Sequence, residues 1–240
     1  MQIKKILELT NFRIHHYPIY QLSLILILSI LTSGCSNERV LQLPEIENAE
    51  ITEVLDVSPA YIFYDGTQPD STLFNRKNLI GTTNWLVNVD KRLTLKQAIP
   101  HIQYLQEKRK KKSMHKKEGA KNYFTCNDTT IENLGFIEFT DVNYRDSNYK
   151  LAEIDSLCFM NINSLQNVTF SKVIDLNIKF SKENLISAYN NFIKKEYGNS
   201  VKIVLNFNKN LSFQDYISIK SELEKLKSDK ALIDTNEFIY

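Results

Sequence analysis

Few side chains in this sequence stand where their type and spacing could run a reaction. The segment Asp65-Gly66-Thr67-Gln68-Pro69-Asp70 brings oxygen donors close enough to suggest a hard-cation loop. It lacks the regular alternation and closing Glu of such loops, however, and Asp-Gly with a nearby Pro specifies a turn. Asp90 and Asn208 end strand-like runs and read as turn formers for the same reason. His101 is the one candidate base, but it lies beside the apolar stripe of a predicted helix, where a histidine packs. His115 sits among lysines. The glycines at 34, 66, 81, 119, 135 and 198 never flank a serine as Gly-x-Ser-x-Gly, and they build no phosphate-cradling loop. Tyr61, Phe63, Tyr64 and Trp85 lie on adjacent predicted strands and could form an aromatic platform for a sugar or peptide. Strand alternation sends Tyr61 and Phe63 to one face and Tyr64 to the other, so most are core, and Trp85 and Tyr64 remain the ligand-binding candidates. No catalytic residue, metal site or cofactor is expected, and the expected function is binding rather than catalysis.

The most specific chemistry is at the N-terminus. An apolar run from Leu22 to Leu31 is preceded by Lys4, Lys5 and Arg13 and closes in Leu31-Thr32-Ser33-Gly34-Cys35. The run is half of the roughly 20 residues a membrane-crossing helix needs, which is the profile of a secretory signal. The pentapeptide resembles the lipobox of bacterial lipoproteins. That resemblance implies cleavage before Cys35, a diacylglycerol on its sulfur and attachment to the membrane through that lipid. Ser36, next to the cysteine, resembles residues that permit outer-membrane sorting, so a periplasm-facing attachment to the cell or outer membrane is the expectation. The chain then divides into a signal peptide at 1–34, a polar tether at 35–48 and an envelope domain at 49–240, with halves at 49–125 and 126–240. Residues 1–34 hold three basic residues and one acid, so the remainder carries 27 of each and is neutral. A lipid-anchored envelope address leaves no role for nucleic acid. In an oxidising envelope, Cys126 and Cys158 are the candidates for one disulfide, with two independent half-buried thiols as the alternative.

Strands are expected at Glu50–Val54, Ala60–Tyr64, Asn84–Val89, Phe136–Thr140, Ser156–Asn163, Ile174–Phe180, Val201–Phe207 and Ala231–Tyr240. Leu95, Ala98, Ile99, Ile102 and Leu105 recur at helical steps behind Thr94 and Gln97, a capping box, while Pro100 should kink or split this helix. Helices are thus predicted at 94–108, 181–197 and 212–227. Residues 107–121 carry eight basic side chains against Glu107 and Glu118. They read as a solvated loop, with anionic lipid phosphates as the functional alternative.

Two segments echo each other at an offset of 118. Val87-Asn88-Val89-Asp90-Lys91-Arg92-Leu93-Thr94-Leu95 aligns with Leu205-Asn206-Phe207-Asn208-Lys209-Asn210-Leu211-Ser212-Phe213. Each is a strand, a polar turn with Lys, a staple leucine, a hydroxyl N-cap and an amphipathic helix. The pattern suits a duplicated β-α unit, though any strand-to-helix junction can reuse these parts. The stretches Val87–Ile102 and Val204–Leu223 resemble the periplasmic domain of the ExbD/TolR biopolymer-transport family. Members of that family carry a transmembrane acid for proton coupling. The apolar run here has no Asp or Glu, so the resemblance implies an accessory envelope component without proton chemistry. The expected fold is α+β, a mostly antiparallel sheet packed against three helices. The expected function is a non-catalytic interaction component with an envelope protein partner, and the alternative is a glycan- or peptide-binding lipoprotein.

Overall fold

A computed structural model describes residues 40–111, 119–146, 157–171, 177–195, 201–228 and 232–240. Val40–Tyr240 forms one compact unit, and the signal segment with Cys35 lies outside the described residues. The first sheet contains β1 (Glu45–Ile46), β2 (Val57–Tyr64), β3 (Thr72–Asn75), β4 (Asn84–Val89), β5 (Asn122–Asp128) and β6 (Asn133–Glu138), with α1 (Leu95–Lys110) between β4 and β5. The second contains β7 (Asn143–Asp146), β8 (Leu157–Ser164), β9 (Asn167–Ser171), β10 (Asn177–Phe180), β11 (Lys202–Phe207) and β12 (Leu232–Ile239). Helix α3 (Phe213–Ser228) joins β11 to β12. The segment α2 joins β10 to β11 and changes pitch along its length, from a 3₁₀ turn (Lys182–Asn184) through α (Leu185–Ala188) to π (Tyr189–Lys194).

Both sheets are mixed, which corrects the mostly antiparallel expectation. The order in the first is β3-β2-β4-β5-β6, with β1 extending the β4 side of β5. In the second it is β10-β9-β8-β11-β12-β7. The centres are parallel, β2-β4-β5 in one and β8-β11-β12-β7 in the other, and the hairpins at the flanks are antiparallel. The cause is connectivity. A strand that leads through a helix of 16 residues returns to the sheet in the direction it left, and α1 and α3 are such crossovers.

Other boundaries shift as well. The tether expected at 35–48 contains β1, because Ile46 is buried and the carbonyls of Gln42 and Pro44 accept from Lys91 and Asn127 at 2.8 Å each. The strand expected at 50–54 is reduced to one bridge between Ile51 and Phe136. Strand β5 spans the 125/126 position of the expected division between two halves. Pro100 does not split α1, and the capping box of Thr94 and Gln97 is present. The regular helix predicted at 181–197 is replaced by the pitch changes of α2, which re-aim its buried residues Leu185, Ala188, Tyr189 and Ile193.

The two echoing junctions meet. Thr94 and Ser212 form an antiparallel bridge. Leu95 N–H donates to the Leu211 carbonyl at 2.9 Å and Phe213 N–H donates to the Leu93 carbonyl at 2.6 Å. One residue on, Lys96 N–H reaches the Lys209 carbonyl at 2.8 Å and Gln214 N–H the Lys91 carbonyl at 3.2 Å. Moving the donor forward by 118 and the acceptor back by 118 turns each bond into its mate, so the pattern is a local twofold. It extends outward: Asp90 N–H binds the Ile62 carbonyl and Asn208 N–H the Ile162 carbonyl, at 2.9 and 3.0 Å. Ile62 pairs with Val89 just as Ile162 pairs with Phe207. Leu93 and Leu211 are buried at the centre of a core that runs without interruption through both sheets.

Candidate functional site

The sequence candidates are dispersed. Trp85 is only 2% exposed. Its indole N–H donates to the Ile80 carbonyl at 2.7 Å, and the Arg109 guanidinium lies 3.8 Å from the ring centroid. That guanidinium also donates to the carbonyls of Thr83 and Lys121 at 3.1 and 3.4 Å, and burial pulls its pKa down to about 10. Trp85 is therefore a packing residue, not an open platform. Tyr64 is exposed at the end of β2, beyond its pairing with β4 and opposite Thr72 of β3, and Arg92 covers its ring at 4.8 Å. Arg92 meanwhile clamps Asp90 with two parallel bonds of 2.8 and 2.7 Å. Burial of Asp90 would raise its pKa, but the Arg92 bonds outweigh it and hold the carboxyl below the usual range. Cys126 in β5 and Cys158 in β8 are buried in different sheets and are not joined by a disulfide here. Burial first, then the charge of Asp128, pushes the Cys126 thiol up. The basic run ends α1 with Lys108–Lys111, and 112–118 lie outside the described residues.

His101 meets a hydroxyl rather than an acid. Its Nε2 is 3.0 Å from the Thr72 Oγ1, and that hydroxyl donates to Asp70 at 2.7 Å. A catalytic triad needs the imidazole between acid and hydroxyl, so that it can take the hydroxyl proton. Here the hydroxyl stands in the middle, its proton already given to Asp70. The imidazole also stacks on Phe74 at 4.8 Å. Burial lowers the His101 pKa, only partly opposed by Asp70. Asp65 Oδ1 accepts from Thr67, and both oxygens of Asp70 accept from Thr72, within tight turns. Among the described residues, no three His, Cys, Asp or Glu side chains converge as metal ligands do.

The best-formed site is one that sequence reasoning missed. A cleft of about 370 Å³ opens between the two sheets, lined by the 46–51 segment, residues 136–142, α3 and the start of β12. At its floor Lys220, 4% exposed, forms an ion pair with Glu237, 1% exposed. Tyr216 donates its hydroxyl to the other Glu237 oxygen at 2.8 Å, and the Tyr144 hydroxyl stands 3.0 Å from that of Tyr216. Burial, then the charge of Glu237, pushes both phenols well above their ordinary range. Both keep their protons, so Tyr144 donates to Tyr216 and Tyr216 to Glu237. The carboxylate is thus satisfied on both oxygens. An ammonium carries three N–H donors, and Lys220 finds one acceptor, Glu237, among the described residues.

A bulge in β12 shapes one wall. Pairing with β11 jumps from Ile203↔Ile233 to Leu205↔Glu237, so that Asp234, Thr235 and Asn236 stand opposite Val204 alone. Asp234 fixes the bulge by accepting from the Asn236 backbone at 2.7 Å and from Lys202 at 2.8 Å. Burial of Asp234 raises its pKa, but these bonds overcome it and keep the carboxyl low. Strand β7 covers β12 only from Asn236 to Ile239. Leu232–Thr235 therefore has no partner strand on that side among the described residues. The rest of β12 lies inside the sheet, between β11 and β7. Sequence held one signal for the site: Lys220 interrupts the apolar stripe Phe213, Ile217, Leu223 of α3. Its partner, from a strand 17 residues on, could not be assigned without the fold. No family model, curated protein or solved structure matches the chain.

Proposed function

We propose that this chain is a membrane-anchored bacterial envelope lipoprotein that acts by binding, as a non-catalytic interaction or accessory component of an envelope transport system. The observation that carries the reading is Leu31-Thr32-Ser33-Gly34-Cys35 behind its short apolar run. A lipid on Cys35 holds the folded unit at the membrane, facing the periplasm. The reciprocal bonds between the two β-α junctions support reading them as a duplicated unit, and it is these segments that resemble the ExbD/TolR periplasmic domain. No described helix is long and apolar enough to cross a membrane.

The cleft over Lys220 and Glu237 favours a second reading, a ligand-binding lipoprotein for glycan or peptide. Its volume lies within the roughly 300–1,000 Å³ of small-molecule sites. In-cell crosslinking of the tagged chain with mass spectrometry, beside Cys35→Ala, tests the main reading. Envelope-transport subunits recovered with the native chain and lost with the variant support it. An unmodified Cys35, or recovery of the protein alone, overturns it.

A further inference from the structure

We propose that the cleft receives an extended peptide segment bearing Lys or Arg, which adds as a strand along the unpaired Leu232–Thr235 edge of β12. The inference rests on the binding reading above and names the ligand class of that site. Three observations converge. First, a sheet edge with unpaired N–H and C=O groups is a template for another strand. Where β7 stops covering β12, the exposed stretch lines the cleft at Ile233, Asp234 and Thr235, opposite Thr140 and Asp141.

Second, the lining is acidic. Glu50, Glu138, Asp141, Glu224, Asp234 and Glu237 face the cleft against Lys220 and Lys225. Glu138, Asp234 and Glu237 have cationic partners in Lys121, Lys202 and Lys220. Glu50 and Asp141 are exposed and form no salt bridge among the described residues. A concave site of one sign focuses its field and selects the opposite charge. Third, Lys220 is a buried ammonium with unused donors at the cleft floor. An extended peptide supplies what each feature lacks: backbone groups for the edge, carbonyl acceptors for Lys220 and cationic side chains for Glu50 and Asp141. A glycan supplies acceptors but neither the repeating backbone pairs nor the charge.

The test uses the full chain in detergent and a fluorescent, end-blocked peptide of roughly eight residues, about the length of a strand, in which Lys and Thr alternate. Its comparators are the Glu-Thr counterpart and a Lys-Thr peptide N-methylated at alternate residues, which keeps the charge and removes the edge-facing donors. The protein variant is Glu50→Lys with Asp141→Lys, both at exposed positions, its folding checked by Trp85 fluorescence. We expect saturable binding of the Lys-Thr peptide, at least about tenfold weaker for either comparator and for the variant, and weaker still as salt rises. Equal binding of the three peptides, an unchanged affinity in the variant, or no saturation up to about 1 mM would overturn strand addition. Crosslinked transport subunits without peptide binding would overturn it too, and would leave the accessory-component reading standing.

Discussion

Replacing Lys220 by Met should be among the most damaging single changes in the protein. The substitution keeps the helical stem and its packing but removes the only cation, among the described residues, paired with a carboxylate that is 1% exposed. Glu237 then keeps the Tyr216 hydroxyl on one oxygen and, among the described residues, has lost its partner on the other. Breaking a buried pair in this way costs about 3–5 kcal/mol, because the abandoned charge has lost its hydration without compensation. Glu237→Met should sit toward the lower end of that range, since the Lys220 ammonium can turn into the cleft and find water, while Tyr216 still has Tyr144. The double variant replaces both charges with apolar side chains of similar length. It should recover most of the loss, leaving it about 1 kcal/mol below the native chain, which with single costs of about 4 and about 3 sets the coupling between the two positions at about 6 kcal/mol. Urea unfolding followed by the fluorescence of Trp85, the single tryptophan, measures all four proteins. Trp85 lies in the first sheet, whereas the perturbed pair joins α3 to β12 of the second. A shift in its transition therefore also reports that the shared core unfolds as one unit. If each single variant stays within about 1 kcal/mol of the native chain, the pair is solvated and the description of the cleft floor is wrong.

Three further outcomes follow from the described contacts. His101 has its pKa lowered by burial, so its protonation opposes folding: stability should fall as pH drops below the free value of 6.5, and His101→Gln should flatten that slope in urea titrations at pH 5–7. Asp90 is held low by Arg92, so the stability it contributes is present above 3.8 and lost as pH falls through its depressed folded value. Arg92→Met should remove that acid-side loss, read as a smaller difference between unfolding midpoints at about pH 5 and 3. Gly135→Val should loosen the 45–51 segment, because even a Cβ there would lie 2.6 Å from the Ala49 Cβ and 2.9 Å from the Ile46 Cδ1. About 1–3 kcal/mol and faster amide exchange at Ile46 and Ala49 are expected.

Much of the fold was legible in the sequence wherever one periodicity ran against a clear stop signal. The Asp90 and Asn208 turns, the hydroxyl caps Thr94 and Ser212 and both crossover helices were visible because each is fixed by residues within one turn of itself. Strand direction was not legible, since alternation is the same in parallel and antiparallel pairs. It is set by the 16-residue crossovers, whose consequence had to be drawn from topology. β1 was hidden because two residues carry no period, and they are ordered by partners at 127 and 128. The cleft was hidden for a related reason. Lys220 marks itself as an exception on its helix, but Glu237, Tyr144 and Tyr216 join it only when α3, β7 and β12 come together. The apparent ligand aromatics failed in the opposite way: Trp85 looked available until Arg109 was seen to lie over it.

The placement of β12 between β11 and β7 has a consequence for how the chain is made. A ribosome releases β7 about ninety residues before β12, yet Asn143–Asp146 has β12 as its sheet partner. The N–H groups of Leu95 and Lys96 similarly await carbonyls at 211 and 209. During synthesis the earlier strands must wait, with an open edge and an unmatched junction, for the later ones to arrive. Contacts so distant along the sequence form slowly, which leaves time for a chaperone to hold the chain. Removing β12 would not trim a fringe but open the shared interior, so a strand that emerges long after its partner β7 is the one that locks the described fold.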